Sequence, residues 1–178
     1  NLKYMFFSIL RMAQYDTIAY KYQKERKDKK MFNYNNLIEI PNMIKFVGNI
    51  KNKRILDLGC GFGDHAFLYI QKGAKEVIGL DISKKLINIA KKRNIKRVSF
   101  IVQDLNKKLP FQNNSFDLVT SSLTINYIKN FDQLFREINR VLKKNSYFIF
   151  SIENPVMLVA IKRKVNNIFG KIGERNWG

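Results

Sequence analysis

The sequence predicts an α/β fold in which a doubly wound, mainly parallel β-sheet carries helices on both faces. Three observations support this prediction. Short apolar runs alternate with segments of helical periodicity, a glycine-rich turn at residues 59–63 follows the first apolar run, and Asp57 and Asp81 stand at the ends of the first two runs. Strands that alternate with helices are typical of a parallel sheet that is covered on both faces.

The predicted elements are separated by residues that favour turns and helix ends. Strands are expected at residues 55–58, 76–80, 98–102, 116–120 and 147–152, and helices near 42–47, 66–72, 84–93 and 132–143. Ser83 is a favoured helix N-cap, Lys72-Gly73 is a basic helix end followed by a glycine stop, and Asn145-Ser146 is a predicted turn. This order gives five strands with helices between them.

The length of 178 residues allows one domain with a proper core and is too short for two. We divide this domain into an N-terminal helical cap, residues 1–50, a core, residues 51–153, and an irregular or helical tail, residues 154–178. A helix is possible in this tail at residues 156–169.

The composition limits the partners and the location of the protein. The net charge of +19 suggests a nucleic-acid or anionic-membrane partner. Because Lys, Ile and Asn dominate the composition and the basic residues are spread along the chain, we favour a solvated basic surface instead. One cysteine, Cys60, and one histidine, His65, provide neither a disulfide nor a zinc shell, so no metal is expected. No apolar run reaches the roughly 18 residues of a membrane span, and the protein is expected to be cytoplasmic.

The glycine turn predicts a cofactor site. Three alternate glycines allow the backbone to turn tightly and to approach a ligand closely. Asp81 follows Gly59 by 22 positions, at the end of the second predicted strand. A glycine turn after one strand and a carboxylate after the next, roughly 20 residues on, form the layout of dinucleotide-type sites, in which the carboxylate accepts ribose hydroxyls.

The pattern Asp57-x-Gly59-x-Gly61-x-Gly63 resembles motif I of class I S-adenosylmethionine (SAM) dependent methyltransferases. Later segments at residues 109–111, 115–119 and 131–143 are similar to landmarks of the small-molecule, quinone-biosynthesis-like branch, so the resemblance covers about residues 15–155. It implies a Rossmann-like fold and transfer of a methyl group from SAM to a small-molecule acceptor. About five of the usual seven strands are present, which suggests a truncated chain whose fifth strand is an exposed edge prone to self-association.

The resemblance also implies the residues that bind SAM. Asp57 would hold its ammonium group, Asp81 its ribose, and Asp104 its adenine amino group. Alternatively, Asp57 could cap the following helix, and Asp81 and Asp104 could be turn-forming residues after their strands. The full set is Asp57, Gly59, Gly61, Gly63, Asp81, Ile82, Asp104, Leu105 and Ser121, with Ser122 beside it at the mouth. Tyr15 and Tyr22 lie in a segment that resembles the N-terminal cap of relatives, where they form either a lid or ordinary packing.

The catalytic residue is unknown from the sequence. Many relatives carry a histidine at the positions of Asn126 and Asn154, and asparagine cannot take a proton. Tyr127 and Glu153 are the remaining candidates. His65 is expected to flank the cofactor or to be solvated rather than to act as a base.

Three other functions compete with small-molecule methylation. A truncated, non-catalytic SAM-binding remnant or interaction protein is the main alternative. Methylation of rRNA or tRNA is motivated by the charge of +19, but the Asn/Asp-Pro-Pro-aromatic motif of nucleobase amino methyltransferases is absent. An NAD dehydrogenase is disfavoured because the glycine spacing differs from that of NAD enzymes.

Overall fold

A computed structural model describes residues 15–21, 23–24, 35–152 and 159–164. For residues 159–164 it describes the backbone alone. Residues 15–21 and 23–24 are helical, and a short π-helix at Asn35–Glu39 precedes helix α1. The strands are β1 (Arg54–Leu58), β2 (Glu76–Asp81), β3 (Val98–Val102), β4 (Phe116–Ser121), β5 (Leu142–Ile152) and β6 (Val159–Lys164). The helices are α1 (Ile40–Val47), α2 (Asp64–Gln71), α3 (Lys84–Lys92) and α4 (Phe131–Val141), with a 3-10 turn at Ile125–Tyr127.

The six strands form one sheet in the order β3-β2-β1-β4-β5-β6. The first five run parallel to one another, whereas β6 pairs antiparallel with β5. The order reverses at β1, which lies between β2 and β4. In an open α/β sheet, ligands bind outside the carboxyl ends of the strands at such a reversal. The predicted α/β, Rossmann-like fold is therefore confirmed, and β1 fixes the position of the site.

Apolar residues pack on both faces of the sheet, as expected for a doubly wound fold. Successive residues of β1 point to opposite faces, so that Ile55 joins one core cluster and Leu56 joins the other. The first cluster contains Met43, Tyr69 and Ile87. The second is formed by α4 and by strands β1, β2, β4 and β5, through residues such as Phe116, Leu134, Ile138 and Phe148.

The C-terminal strand corrects two expectations. The helix predicted at residues 156–169 is wrong over 159–164, which form β6. Val159 and Ile161 are β-branched and favour strands, and the outer edge of β5 offers unpaired backbone groups that a second strand can satisfy. Because β6 pairs with residues Tyr147 to Ile152 of β5, the fifth strand is not the exposed edge that the sequence suggested.

The predicted turn at Asn145-Ser146 lies within β5. The strand starts at Leu142, directly after α4, and pairs Leu142 with Phe116 but Tyr147 with Leu118. The extra residues of β5 form an irregularity in which Asn145 has a positive φ of 61°. Asparagine tolerates this left-handed conformation better than most residues, which explains why a turn signal occurs inside a strand.

The boundaries of the proposed cap, core and tail stay a prediction. Helical residues 15–21, 23–24 and 40–47 agree with a helical cap where the structure describes it. In the described residues, no helix is both long enough and apolar enough to span a bilayer.

Candidate functional site

A cavity of about 340 Å³ opens at the carboxyl ends of β1, β2 and β4. Its lining comes from the glycine turn, the loops after β2 and β4, and the helical residues before β1. The lining residues are Tyr15, Asn35, Gly59, Cys60, Gly61, Phe62, Asp64, His65, Asp81, Ile82, Leu86, Leu105, Ser122, Leu123, Thr124, Tyr127 and Ile128. A cavity at the switch point of the sheet is where a cofactor is expected.

The three glycines of the turn have positive φ angles of 71°, 55° and 87°, but they face different surroundings. A Cβ atom on Gly59 would overlap the side chain of Thr124, and one on Gly63 would lie 2.5 Å from the Phe100 ring. A Cβ atom on Gly61 would meet nothing within 4 Å. Gly59 and Gly63 are therefore required by packing, whereas Gly61 faces open space in the cavity.

Asp81 ties the end of β2 to the glycine turn. Its Oδ2 accepts a 2.9 Å hydrogen bond from the Gly61 amide, and its Oδ1 accepts a 2.8 Å bond from the Ser83 amide. The residue is 9% exposed, and burial raises the pKa of its carboxyl group. Asp81 thus combines a structural role in the loop with a position on the cavity wall.

The N-terminal helical segment is anchored to the start of α3. Asp16 Oδ1 accepts a 2.5 Å hydrogen bond from Ser83 Oγ and a 3.1 Å bond from the Lys85 amide. The bond from Ser83 holds the pKa of Asp16 below its ordinary value. Ser83 itself caps α3 by accepting from the Leu86 amide, which confirms its predicted role.

Asp57 lies behind the glycine turn and does not line the cavity. Its Oδ1 accepts a 2.9 Å hydrogen bond from Thr120 Oγ1, while Oδ2 has no hydrogen-bond partner within the described residues. Burial raises the pKa of Asp57 to about 6, although His65 opposes this shift. The helix-capping alternative is wrong, because the N-cap of α2 is Gly63 and has no side-chain cap.

A buried pair of Glu39 and His65 joins the N-terminal helices to the site. Glu39 Oε1 accepts hydrogen bonds of 2.5 Å from Ser122 Oγ and 2.8 Å from Ser151 Oγ, and Oε2 lies 3.2 Å from His65 Nε2. Burial opposes both charges, but the mutual contact outweighs it, so that the pKa of Glu39 is lowered and the pKa of His65 is raised. These two directions favour an ion pair between the ordinary pKa values of 4.5 for Glu39 and 6.5 for His65.

Two tyrosines meet at the mouth of the cavity. The rings of Tyr15 and Tyr127 pack edge to face with centroids 6.1 Å apart, and their hydroxyls are 3.4 Å apart. The structure thereby brings together one residue of the expected lid and one catalytic candidate. Tyr22 and Glu153, the other members of these two predictions, lie outside the described residues.

The remaining predicted residues divide between the cavity and the surrounding framework. Leu105 and Ile82 line the cavity. Asp104 does not, because its Oδ1 turns back to accept from the amide and the side chain of Asn106, at 2.9 and 3.0 Å. Ser121 is fully buried and donates to the Leu58 carbonyl at 3.1 Å.

Sequence reasoning missed two polar contributors to the site. Glu39 belongs to no motif, and its neighbours in sequence give no sign of a buried carboxylate. Thr124 follows β4 closely. Its close approach to Gly59, which has a positive φ, is visible only in three dimensions. Ser122, mentioned beside Ser121, is the serine of the two that lines the cavity.

The strand order, the glycine turn and the Asp81 carboxylate at the switch point define an α/β domain of the nucleotide-cofactor-binding class. The chain belongs to the methyltransferase-domain family, which matches residues 49–174. This match, together with the similarity to a solved SAM-dependent methyltransferase from Mesorhizobium loti, confirms the resemblance to SAM-dependent methyltransferases, for which SAM is the cofactor.

Individual relatives support this assignment. An uncharacterized protein of Haemophilus influenzae is 38% identical over 141 residues, which cover 76% of this chain and 55% of that protein. The demethylmenaquinone methyltransferase of Thermotoga maritima is 34% identical over 108 residues, which cover 60% and 46% of the two chains. The crystal structure of a SAM-dependent methyltransferase from Mesorhizobium loti is 33% identical with a TM-score of 0.65, over 70% of this chain and 57% of that one. The chain spans about half the length of the curated relatives that it matches.

Proposed function

We propose that this domain binds SAM in the switch-point cavity and transfers its methyl group to a small-molecule acceptor. The observation that carries the proposal is the Gly61–Asp81 hydrogen bond, which presents an open glycine backbone and a buried carboxylate on the same cavity wall. Bound SAM supplies a methyl group that is already activated by a cationic sulfur. The protein therefore needs to bind SAM, to orient it towards the acceptor and to exclude water. It needs no nucleophile of its own.

The residues that line the cavity fit the parts of SAM. A carboxylate oxygen can accept more than one hydrogen bond, so Asp81 can receive ribose hydroxyls while it keeps its bonds to Gly61 and Ser83. Leu105 and Ile82 offer apolar surface for the adenine ring. Gly61 leaves room for the methionine portion to approach the backbone.

The electrostatics of the site also favour a cationic cofactor. Asp81 lines the cavity and Asp57 lies behind its glycine turn, whereas the third acid, Asp64, is already paired with Arg93 at 2.8 Å. We assign Asp57 to this wall, where its carboxylate attracts positive charge without direct contact. Asp104 and Ser121 do not line the cavity, so we assign them to the surrounding framework. Ser122 takes the place of Ser121 at the mouth of the cavity.

The acceptor side of the cavity is assigned to Tyr15, Tyr127 and Ser122. A cavity of about 340 Å³ is of the size that holds small molecules. The Thermotoga maritima relative is named for methylating demethylmenaquinone, which agrees with an acceptor that is not a macromolecule. His65 is held in its ion pair with Glu39, and we assign it to positioning rather than to proton abstraction.

Calorimetric titration with S-adenosylhomocysteine tests the cofactor site. We expect micromolar binding that Asp81→Asn weakens at least tenfold, because a hydrogen bond to a charged group is worth about 1.5–3 kcal/mol. Asp104→Asn is the matched control: it removes a carboxylate after the neighbouring strand that does not line the cavity, and it should leave the affinity within about twofold. Folded wild-type protein that does not bind the ligand would contradict the proposal and favour a non-catalytic remnant.

A further inference from the structure

Basic side chains gather at the edge of the sheet where the parallel strands begin. Because the five parallel strands run in one direction and pair in register, the residues just before each strand lie along one edge. We name this the amino edge and define it by Lys51, Lys53, Lys75, Lys96, Arg97 and Lys144. All six side chains are exposed.

Backbone hydrogen bonds hold these segments side by side. The Lys75 amide donates to the Lys53 carbonyl at 2.8 Å, and the Val77 amide donates to the Arg97 carbonyl at 3.0 Å. The Arg97 guanidinium also donates to the Ala74 carbonyl at 2.9 Å. The cations that precede β1, β2 and β3 are therefore neighbours in space, although they are separated in sequence.

The carboxylates of this edge are already paired. Within residues 35–152, Glu76 and Asp117 lie at the starts of β2 and β4. Glu76 contacts Arg54 at 2.7 Å, and Asp117 contacts Lys143 at 2.8 Å. Asp117 also interacts electrostatically with Lys53, but six cations against two acids, each paired with a further base, leave a positive field at this end of the sheet.

The antiparallel strand β6 extends the same edge. Its register places Lys164 opposite Tyr147 and Arg163 opposite Phe148, at the end where β5 begins its regular pairing. With strands about 4.8 Å apart, a row over six strands is roughly 25 Å long. The basic residues that appear scattered in the sequence are thus gathered by the fold into an extended row.

The surroundings of the row favour a hydrophilic polyanion over a lipid surface. Membrane-binding surfaces combine basic residues with exposed apolar side chains. Of the exposed large apolar residues that the structure describes, Ile82 and Val102 lie at the opposite, carboxyl ends of their strands, and the others lie on helices or helical turns. A row of cations without an apolar companion fits a chain of phosphates.

We propose that the amino edge binds the phosphate backbone of a nucleic acid, without reading its sequence. The glycine turn lies at the other end of the strands, five or six residues away, which is about 15–20 Å. The phosphates bound at the amino edge therefore lie away from the proposed methyl-transfer site. This proposal does not rest on methyl transfer.

A charge-matched pair of variants tests the amino edge. The first variant carries Lys51→Glu, Lys75→Glu and Lys96→Glu. The control carries Lys107→Glu, Lys108→Glu and Lys129→Glu, three exposed lysines near the cavity end. Both variants change the net charge equally, so that a difference between them reports position. Thermal unfolding of each variant verifies that the fold is retained.

The measurement is fluorescence anisotropy of a labelled, single-stranded RNA of about 20 nucleotides, at KCl concentrations from about 50 to 200 mM. We expect the amino-edge variant to bind at least tenfold more weakly and its salt slope to fall by about 2, because each lost phosphate contact removes about 0.7 from the slope. The control should stay within about threefold of the wild type.

Four results would overturn the proposal. Wild-type protein that does not bind the RNA at the lowest salt would do so directly. Equal losses in both variants would show that binding follows net charge alone, and a larger loss in the control would place the nucleic acid at the cavity. Phosphatidylserine vesicles form a second arm: loss of vesicle binding in the amino-edge variant, with RNA binding unchanged, would assign the edge to a membrane instead.

Discussion

The carboxylate of Glu39 lies 3.2 Å from the imidazole of His65, and both side chains are almost fully buried. Glu39 is the last residue of the π-helix before α1, whereas His65 lies in the first turn of α2. Ser122 and Ser151, from the loop after β4 and from β5, complete the hydrogen bonding of the carboxylate. One buried ion pair thus connects the N-terminal helices, the helix after the glycine turn and the sheet.

Removal of the charge of Glu39 should destabilise the protein. Glu39→Gln keeps acceptors for the two serines but leaves His65 without its counter-ion, and we expect a loss of about 1–3 kcal/mol in the free energy of unfolding. Glu76→Gln is the matched control, since its pair with Arg54 is more than a third exposed and should be worth no more than about 1 kcal/mol. Urea unfolding between pH 4.5 and 6.5 measures both, and equal losses would contradict a special role for the buried pair.

The stabilisation from this pair should depend on pH. The pKa of His65 is raised in the folded state, so its contribution is full below the ordinary value of 6.5 and is lost as the pH rises through the folded pKa. The pKa of Glu39 is lowered, so its contribution is present above the ordinary value of 4.5 and is lost as the pH falls through the folded pKa. The difference in unfolding free energy between wild type and Glu39→Gln should be largest between these two values. A difference that does not vary with pH would rule out the ion pair.

Asp57 should make the stability fall as the pH rises, which is opposite to the effect of Glu39. Because burial raises its pKa from 3.8 to about 6, the folded state binds a proton more tightly than the unfolded state. Stability therefore falls as the pH rises between these values, by about 3 kcal/mol. Subtracting the unfolding curve of Asp57→Asn from that of the wild type isolates this contribution, and a flat difference from pH 4 to 6 would refute it.

Two alanine substitutions in the glycine turn should have different effects. Gly59→Ala creates an overlap with Thr124 in addition to a strained φ, so we expect a large drop in the melting temperature. Gly61→Ala introduces only the strain of a positive φ, about 1–2 kcal/mol, because the space around it is open. The cost of Gly61→Ala should instead appear in the affinity for S-adenosylhomocysteine. Addition of Thr124→Gly should partly rescue Gly59→Ala and not Gly61→Ala, and a failure of this selectivity would show that the overlap is unimportant.

The features that could be predicted from the sequence are those that local physics determines. The central strands, the glycine turn and the Ser83 cap depend on short patterns of apolar periodicity and hydrogen-bonding capacity. Asp81 follows from the same pattern, because its position after β2 is fixed once the strand is recognised. These elements were enough to predict the sheet and the location of the cavity.

The features that could not be predicted depend on partners that are distant in sequence. The serine partners of Glu39 are 83 and 112 positions away, so no local pattern indicates its burial. Ser121 and Ser122 differ by one position, and this difference alone decides which of them faces the cavity. Strand β6 forms against the edge of β5, and this tertiary context overrides the predicted helix over residues 159–164.

The hydrogen bond from Gly61 to Asp81 fixes the shape of the glycine turn before any ligand arrives. A loop that is already ordered loses little conformational entropy on binding, so most of the contact energy remains available as affinity. The freedom of a glycine-rich segment in the unbound state is thus reduced by this carboxylate, together with the hydrogen bonds from the Gly59 and Cys60 amides to the Leu80 carbonyl.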